Sequence, residues 1–165
     1  MINREISSLY QPFGKLVTNF LARWNKASKS YPAQVFEGYR PFERQAALYA
    51  QGRTIPGPKV TNAMPGFSWH QYGLAVDVVF DADPVKPGAQ WTWDGKLPWP
   101  VLGKMGEVDF GLEWAGAWRS FPEFPHFQRT WGMQLTEARE LYEIGGLDAV
   151  WKSLDLTLQA LGAKK

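Results

Sequence analysis

His70 and His126 are the only two histidines in this 165-residue chain, and each travels with a carboxylate. His70 precedes Asp77 in Ser68-Trp-His-Gln-Tyr-Gly-Leu-Ala-Val-Asp77; His126 follows Glu123 in Glu123-Phe-Pro-His-Phe127. Catalytic zinc commonly takes three ligands of His and Asp/Glu type and keeps a fourth position for water. His70, Asp77 and His126 supply such a set, with Glu123 left over as a base. Seven extended residues would span about 23 Å, too far for two ligands of one ion. The chain must therefore fold back between His70 and Asp77, and Gly73 is the residue that permits it. Beyond that turn Gly73, Ala75 and Asp77 share one face of a strand, and Leu74, Val76 and Val78 the other. Pro125 removes an N–H and biases Phe124 towards extended backbone. Glu123 and His126 then belong to a loop and a strand, not to a zincin-type His-Glu-x-x-His helix. A bland alternative stands beside this reading: a core or surface histidine next to aromatic residues, and a buried Asp paired with an Arg.

The elements that must position these residues follow from periodicity. Ile6, Leu9, Tyr10, Phe13, Leu16, Val17, Phe20, Leu21 and Trp24 form one helical stripe, with Pro12 starting or kinking the main helix. Residues 34–39 read as a strand, and 41–51 as a helix stopped by Gly52. Residues 68–80 hold a turn and a strand. Residues 81–100 form a long loop with Pro84, Pro87, Pro98 and Pro100 beside Trp91, Trp93 and Trp99. Those three Trp either line a groove or pin the loop; pinning is the commoner use. Trp24 and Trp151 belong to the core, while Trp69 and Trp114 flank the motifs. Residues 102–108 read as a short helix, and 110–127 as loop ending in a strand. Thr136 reads as the N-cap of a helix over 136–143 that Gly145-Gly146 stops. A last helix places Leu147, Val150, Trp151, Leu154, Leu158 and Leu161 on one face. Helices at the ends and strands in the middle predict an α+β fold: a small, mainly antiparallel sheet carrying the site, flanked by N- and C-terminal helices.

Composition narrows the function. No cysteine is present, which excludes a disulfide scaffold, a Cys-ligated zinc finger, an iron–sulfur protein and a thiol enzyme. Hydrophobic residues at 45% and charged residues at 21% describe a globular chain. A net charge of +2 is too balanced for a nucleic-acid binder. The length predicts one domain over 1–165. Arg4 and Lys15 interrupt the N-terminal stretch, so no signal peptide is expected, and no apolar run is long enough to span a membrane. Synthesis in the cytoplasm is the expectation.

The motifs themselves resemble a known family. Ser68 to Asp77 resembles the SxHxxGxAxD signature of the LAS-type zinc peptidases, in the group of VanY-like D-Ala-D-Ala carboxypeptidases and L-alanyl-D-glutamate endopeptidases. Glu123-x-x-His126 matches their second signature. Gly38-Tyr-Arg-Pro-Phe-Glu-Arg-Gln45 with Leu48-Tyr-Ala-Gln-Gly-Arg53 looks like their upstream block, and Phe110-Gly-Leu-Glu-Trp-Ala-Gly-Ala-Trp118 like their FGLEWGGDW block. The departure is Ala115-Gly116-Ala117-Trp118, where the family often has Gly-Gly-Asp-Trp, so the Asp is missing. The resemblance runs from about Gly38 to Gln128. It implies a hedgehog/D,D-peptidase-like fold and one zinc ion per chain on His70, Asp77 and His126. It implies Glu123 as general base for metal-activated water and Arg40 as oxyanion stabiliser. Ser68, Gln45 and Trp118 are implied as substrate contacts. Without it, Arg40 reads as a surface ion-pair member, Ser68 as a cap and Gln45 as an exposed helix residue.

The implied activity is hydrolysis of peptidoglycan stem peptides by a monomer. The L-Ala–D-Glu bond leads and D-Ala-D-Ala carboxypeptidase follows. A chain without a leader further implies a phage or prophage lysin that reaches the wall after release. A non-catalytic zinc- or cell-wall-binding module is the alternative of another class.

Overall fold

A computed structural model describes residues 1–86 and 88–162. The described residues fall into two compact units, one of Met1–Tyr39 with Gly73–Arg129, the other of Arg40–Tyr72 with the chain from Thr130 on. The mixed α+β class is as the sequence predicts.

The first unit is built on α1 (Gln11–Ala27) and a five-stranded antiparallel sheet. Pro12 lies in the first turn of α1, where its missing N–H has no intrahelical partner to lose. The apolar stripe is therefore split: Ile6 belongs to a separate 3-10 turn at Ile6–Ser8. Phe13, Val17, Phe20, Leu21 and Trp24 of α1 are buried. Phe20 packs on Phe127 at 5.1 Å, and Trp24 on Phe80 at 5.8 Å.

The sheet consists of β1 (Ala33–Glu37), β2 (Ala75–Asp81), β3 (Trp91–Thr92), β4 (Glu113–Trp114) and β5 (His126–Gln128). Its order is β1-β2-β5-β4, with β3 also paired to β2. Two register pairs matter below: Asp77 lies opposite His126, and Glu113 opposite Gln128. The segment expected to be loop before His126 thus holds β4 and a 3-10 turn at Ala115–Ala117.

The Pro- and Trp-rich segment is partly ordered by the β2–β3 pairing; its Pro87 lies outside the described residues. Trp99 acts as a pin: it is fully buried, its ring is 4.4 Å from Phe80, and its Nε1–H donates to Asp94 O at 2.9 Å. Trp91 and Trp93 stay part-exposed, edge-on to Phe36, with the Arg4 guanidinium 4.3 Å over Trp91. The short helix expected at 102–108 is α3, Trp99–Phe110, longer because Pro100 sits in its first turn. Gly111 ends it in the left-handed conformation, φ 61°.

The second unit holds α2 (Phe42–Ala50), a 3-10 turn at Trp69–Tyr72 and α4 (Leu135–Gly162). Gly52, at φ 72°, follows α2 as the expected stop. Gly145 and Gly146 have non-helical angles that break α4 into two helices, as their sequence suggested. Thr136 is not the N-cap. The helix already includes Leu135, and Ala138 N–H donates to Gln134 O at 3.0 Å. Val150 and Leu154 are buried, whereas Leu161, expected on the same face, is exposed. Trp151 Nε1–H donates to Tyr72 O at 2.9 Å. Tyr72 is itself buried and donates its hydroxyl hydrogen to Gly66 O at 2.9 Å. Burial, partly offset by Arg139, pushes its phenol up to about 12.

Candidate metal centre

Asp77 and His126 meet because β2 and β5 are in register. Cross-strand partners present side chains to the same face of a sheet. His126 Nδ1 lies 3.3 Å from Asp77 Oδ1. Glu123 sits just before β5 in a turn: His126 N–H donates to Glu123 O, and Glu123 N–H to Ala115 O, both at 3.1 Å. Its carboxylate Oε2 is 3.9 Å from His126 Nδ1. Pro125 keeps its carbonyl in the sheet, accepting from Val78 N–H at 2.9 Å. A loop Glu beside a strand His is thus the arrangement seen.

His70 lies on the 3-10 turn and is 1% exposed. Gly73, at φ 69°, supplies the reversal that the spacing demanded. His70, Asp77 and His126 each offer one ligand atom, and these atoms all lie within 4.8 Å of one another. Two nitrogens and a carboxylate oxygen are a donor set that suits zinc. Burial opposes charge on His126, but Asp77, by hydrogen bond and charge, with Gln128 and Glu123, lifts its pKa above 6.5.

Two further residues touch His126. Its Nε2 is 3.0 Å from Gln128 Oε1. Gln128 Nε2–H donates to Glu113 Oε2 at 2.9 Å, and Trp118 Nε1–H donates to Glu113 Oε1 at 2.9 Å. The Trp118 ring lies 5.7 Å from the His126 ring. Sequence reasoning missed Gln128 and Glu113; the one available signal was that Gln128, two residues past His126, shares its face of the strand.

Arg40, Gln45 and Ser68 belong to the second unit with His70. Arg40 is not a surface residue: it is 7% exposed, its N–H donates to His70 O at 3.0 Å, and its Nη1–H donates to Gln45 Oε1 at 3.1 Å. Gln45 is fully buried, and its Nε2–H donates to Ala63 O at 2.7 Å. Both ends of its amide are thereby engaged. Ser68 opens the turn that carries His70, its carbonyl accepting from Gln71 N–H at 3.1 Å.

The family model VanY, described as D-alanyl-D-alanine carboxypeptidase, matches residues 9–93, just over half of the chain. This chain belongs to the VanY family. A second model with the same description, Peptidase_M15_4, matches residues 61–129. The VanY match contains Arg40, Gln45, Ser68, His70 and Asp77; the second contains Glu123 and His126.

Among curated relatives of this VanY-family chain is the peptidoglycan L-alanyl-D-glutamate endopeptidase CwlK of Bacillus subtilis (strain 168). It is 36% identical over 110 residues, which cover 62% of this chain and 63% of CwlK. The chain thus spans less than two thirds of that relative's length. Among solved structures, the Serratia marcescens L-Ala D-Glu endopeptidase ChiX aligns with a TM-score of 0.54 at 23% identity, over 76% of this chain and 84% of ChiX. The VanY-family chain shares the fold of that peptidase.

Proposed function

We infer that this chain is a zinc-dependent peptidase of bacterial peptidoglycan stem peptides, cutting between L-Ala and D-Glu. The observation that carries the reading is the convergence of His70, Asp77 and His126 ligand atoms within 4.8 Å, with the Glu123 carboxylate beside them. In this reading those three residues hold one zinc ion. When bound, the ion supplies Lewis acidity and brings the pKa of water towards about 7. Glu123 takes a proton from the attacking water and delivers it to the departing amine. Arg40 stabilises the negative charge that develops on the carbonyl oxygen; one such donor is typically worth about 3–4 kcal/mol of barrier. Gln45 holds the Arg40 guanidinium through its Oε1, and Ser68 and Trp118 border the substrate.

The choice of bond follows CwlK and ChiX, both described as L-Ala–D-Glu endopeptidases. The family model's description favours the second reading, a D-Ala-D-Ala carboxypeptidase. Digestion of purified peptidoglycan, with mapping of the new termini, separates them. New Glu amino-termini are expected. Free D-Ala without new Glu amino-termini would establish the second reading in place of the first. Zinc well below one equivalent, with no activity restored on adding it, would point to a non-catalytic wall-binding module.

A further inference from the structure

We propose that Gln128 and Glu113 are positioning residues that dictate which ring nitrogen of His126 faces the metal. The proposal rests on the metal-site reading above. Its logic is a one-way chain of donors and acceptors. The Trp118 indole N–H can only donate, and it meets Glu113 Oε1 at 2.9 Å. An ionised carboxylate can only accept, so Glu113 Oε2, 2.9 Å from Gln128 Nε2, receives an amide hydrogen. That contact turns the amide so that Gln128 Oε1 faces His126 Nε2 at 3.0 Å. A carbonyl oxygen can only accept, so it calls for a hydrogen on Nε2. Asp77 Oδ1, 3.3 Å from Nδ1, also only accepts, so Asp77 and Gln128 compete for the single hydrogen of a neutral ring without metal. With a cation on Nδ1, beside Asp77 Oδ1 and Glu123 Oε2 at 3.9 Å, the hydrogen stays on Nε2 and faces Gln128.

The sheet builds this relay. Asp77 is opposite His126 across β2–β5, Gln128 is two residues on along β5, and Glu113 is opposite Gln128 across β5–β4. All four side chains stand on one face. His126 and Gln128 are each 6% exposed, so little water is available to replace the amide. A metal-bound histidine needs its other nitrogen held in this manner to fix tautomer and ring orientation.

Two measurements test it. The first is a long-range ¹H–¹⁵N spectrum of the unmodified protein loaded with one equivalent of zinc, in which the ion and not Asp77 occupies the second ring nitrogen. With only two histidines the rings are readily told apart. The Nε2–H tautomer is expected for His126; an Nδ1–H tautomer would overturn the proposal. The second is zinc affinity, read in competition with a chromophoric chelator. Gln128→Leu should raise the Kd for zinc by about 10–100-fold, the usual cost of losing such a partner. The melting midpoint of the metal-free protein should stay close to that of the wild type. Glu113→Gln alters only an exposed carboxylate, so it carries the test if the first variant does not fold. It should produce a mixture of His126 tautomers with a smaller loss of affinity. Wild-type affinity in both variants would sink the idea. A protein that takes up no zinc would overturn the metal reading and this proposal with it, whereas zinc held through Nε2 would overturn the proposal alone.

Discussion

In the proposed reading Glu123 is the general base, and its neighbours fix where its carboxylate sits. Backbone hydrogen bonds on both sides of it lock the turn, and its carboxylate stays part-exposed within 3.9 Å of His126 Nδ1. Glu123→Gln keeps shape and removes basicity. It should lower turnover of peptidoglycan by about 10²–10⁴-fold, while the zinc content of the purified protein stays at the wild-type level. Lysis of cell walls at the wild-type rate would remove Glu123 from the base role. Arg40 calls for a different readout, because its guanidinium is buried on Gln45. Arg40→Met should lower kcat by about 10²–10³-fold, as loss of one oxyanion donor does, with zinc affinity unchanged. A change in KM alone would make Arg40 a substrate-binding residue instead. The carboxylate and histidine positions were legible in the sequence because their spacing carries ligand chemistry. Gln128 and Glu113 were not, because an amide and a surface carboxylate gain meaning only once strand register sets them side by side.

The elements were legible where periodicity is long. The stripe from Phe13 to Trp24 gave α1, since several turns of one buried face are hard to mistake. The strands β4 and β5 have two and three residues, too few for an alternation to register, and Pro125 sits at the entrance to β5. Thr136 looked like a cap by type, yet the first helical turn begins before it. Gly103 and Gly106 were silent in the sequence and are decided by packing. A Cβ on Gly103 would lie 2.2 Å from the Trp114 ring, and one on Gly106 would lie 3.1 Å from Phe127. The backbone of α3 therefore rests directly on β4 through Gly103. Gly103→Ala should cost about 1–3 kcal/mol through overpacking, read as a lower urea midpoint at unchanged m-value. Gly106→Ala should cost less, since a few tenths of an ångström relieve its contact. Equal stability of Gly103→Ala and wild type would mean that Trp114 moves freely, contrary to its 2.8 Å hydrogen bond to Phe124 O.

At the scale of the whole chain, the absence of cysteine leaves stability to the hydrophobic interiors and to whatever the histidines bind. Among the described residues no helix is long and apolar enough to cross a membrane. If His70, Asp77 and His126 hold zinc, the ion stabilises the folded chain by mass action. The unfolded chain cannot assemble ligands that lie as far apart in sequence as His70 and His126. At free zinc a hundredfold above Kd, linkage gives about 2.7 kcal/mol. For a chain of this size that corresponds to a rise in melting temperature of about 5–10 °C. Stripping the protein with chelator should lower the midpoint by that amount, and adding zinc back should restore it. His126→Ala should melt at one temperature with or without zinc. A wild-type midpoint indifferent to both chelator and zinc would show that these three side chains hold no ion. The buried histidines would then be core residues paired with Asp77, and the peptidase reading would lose its metal.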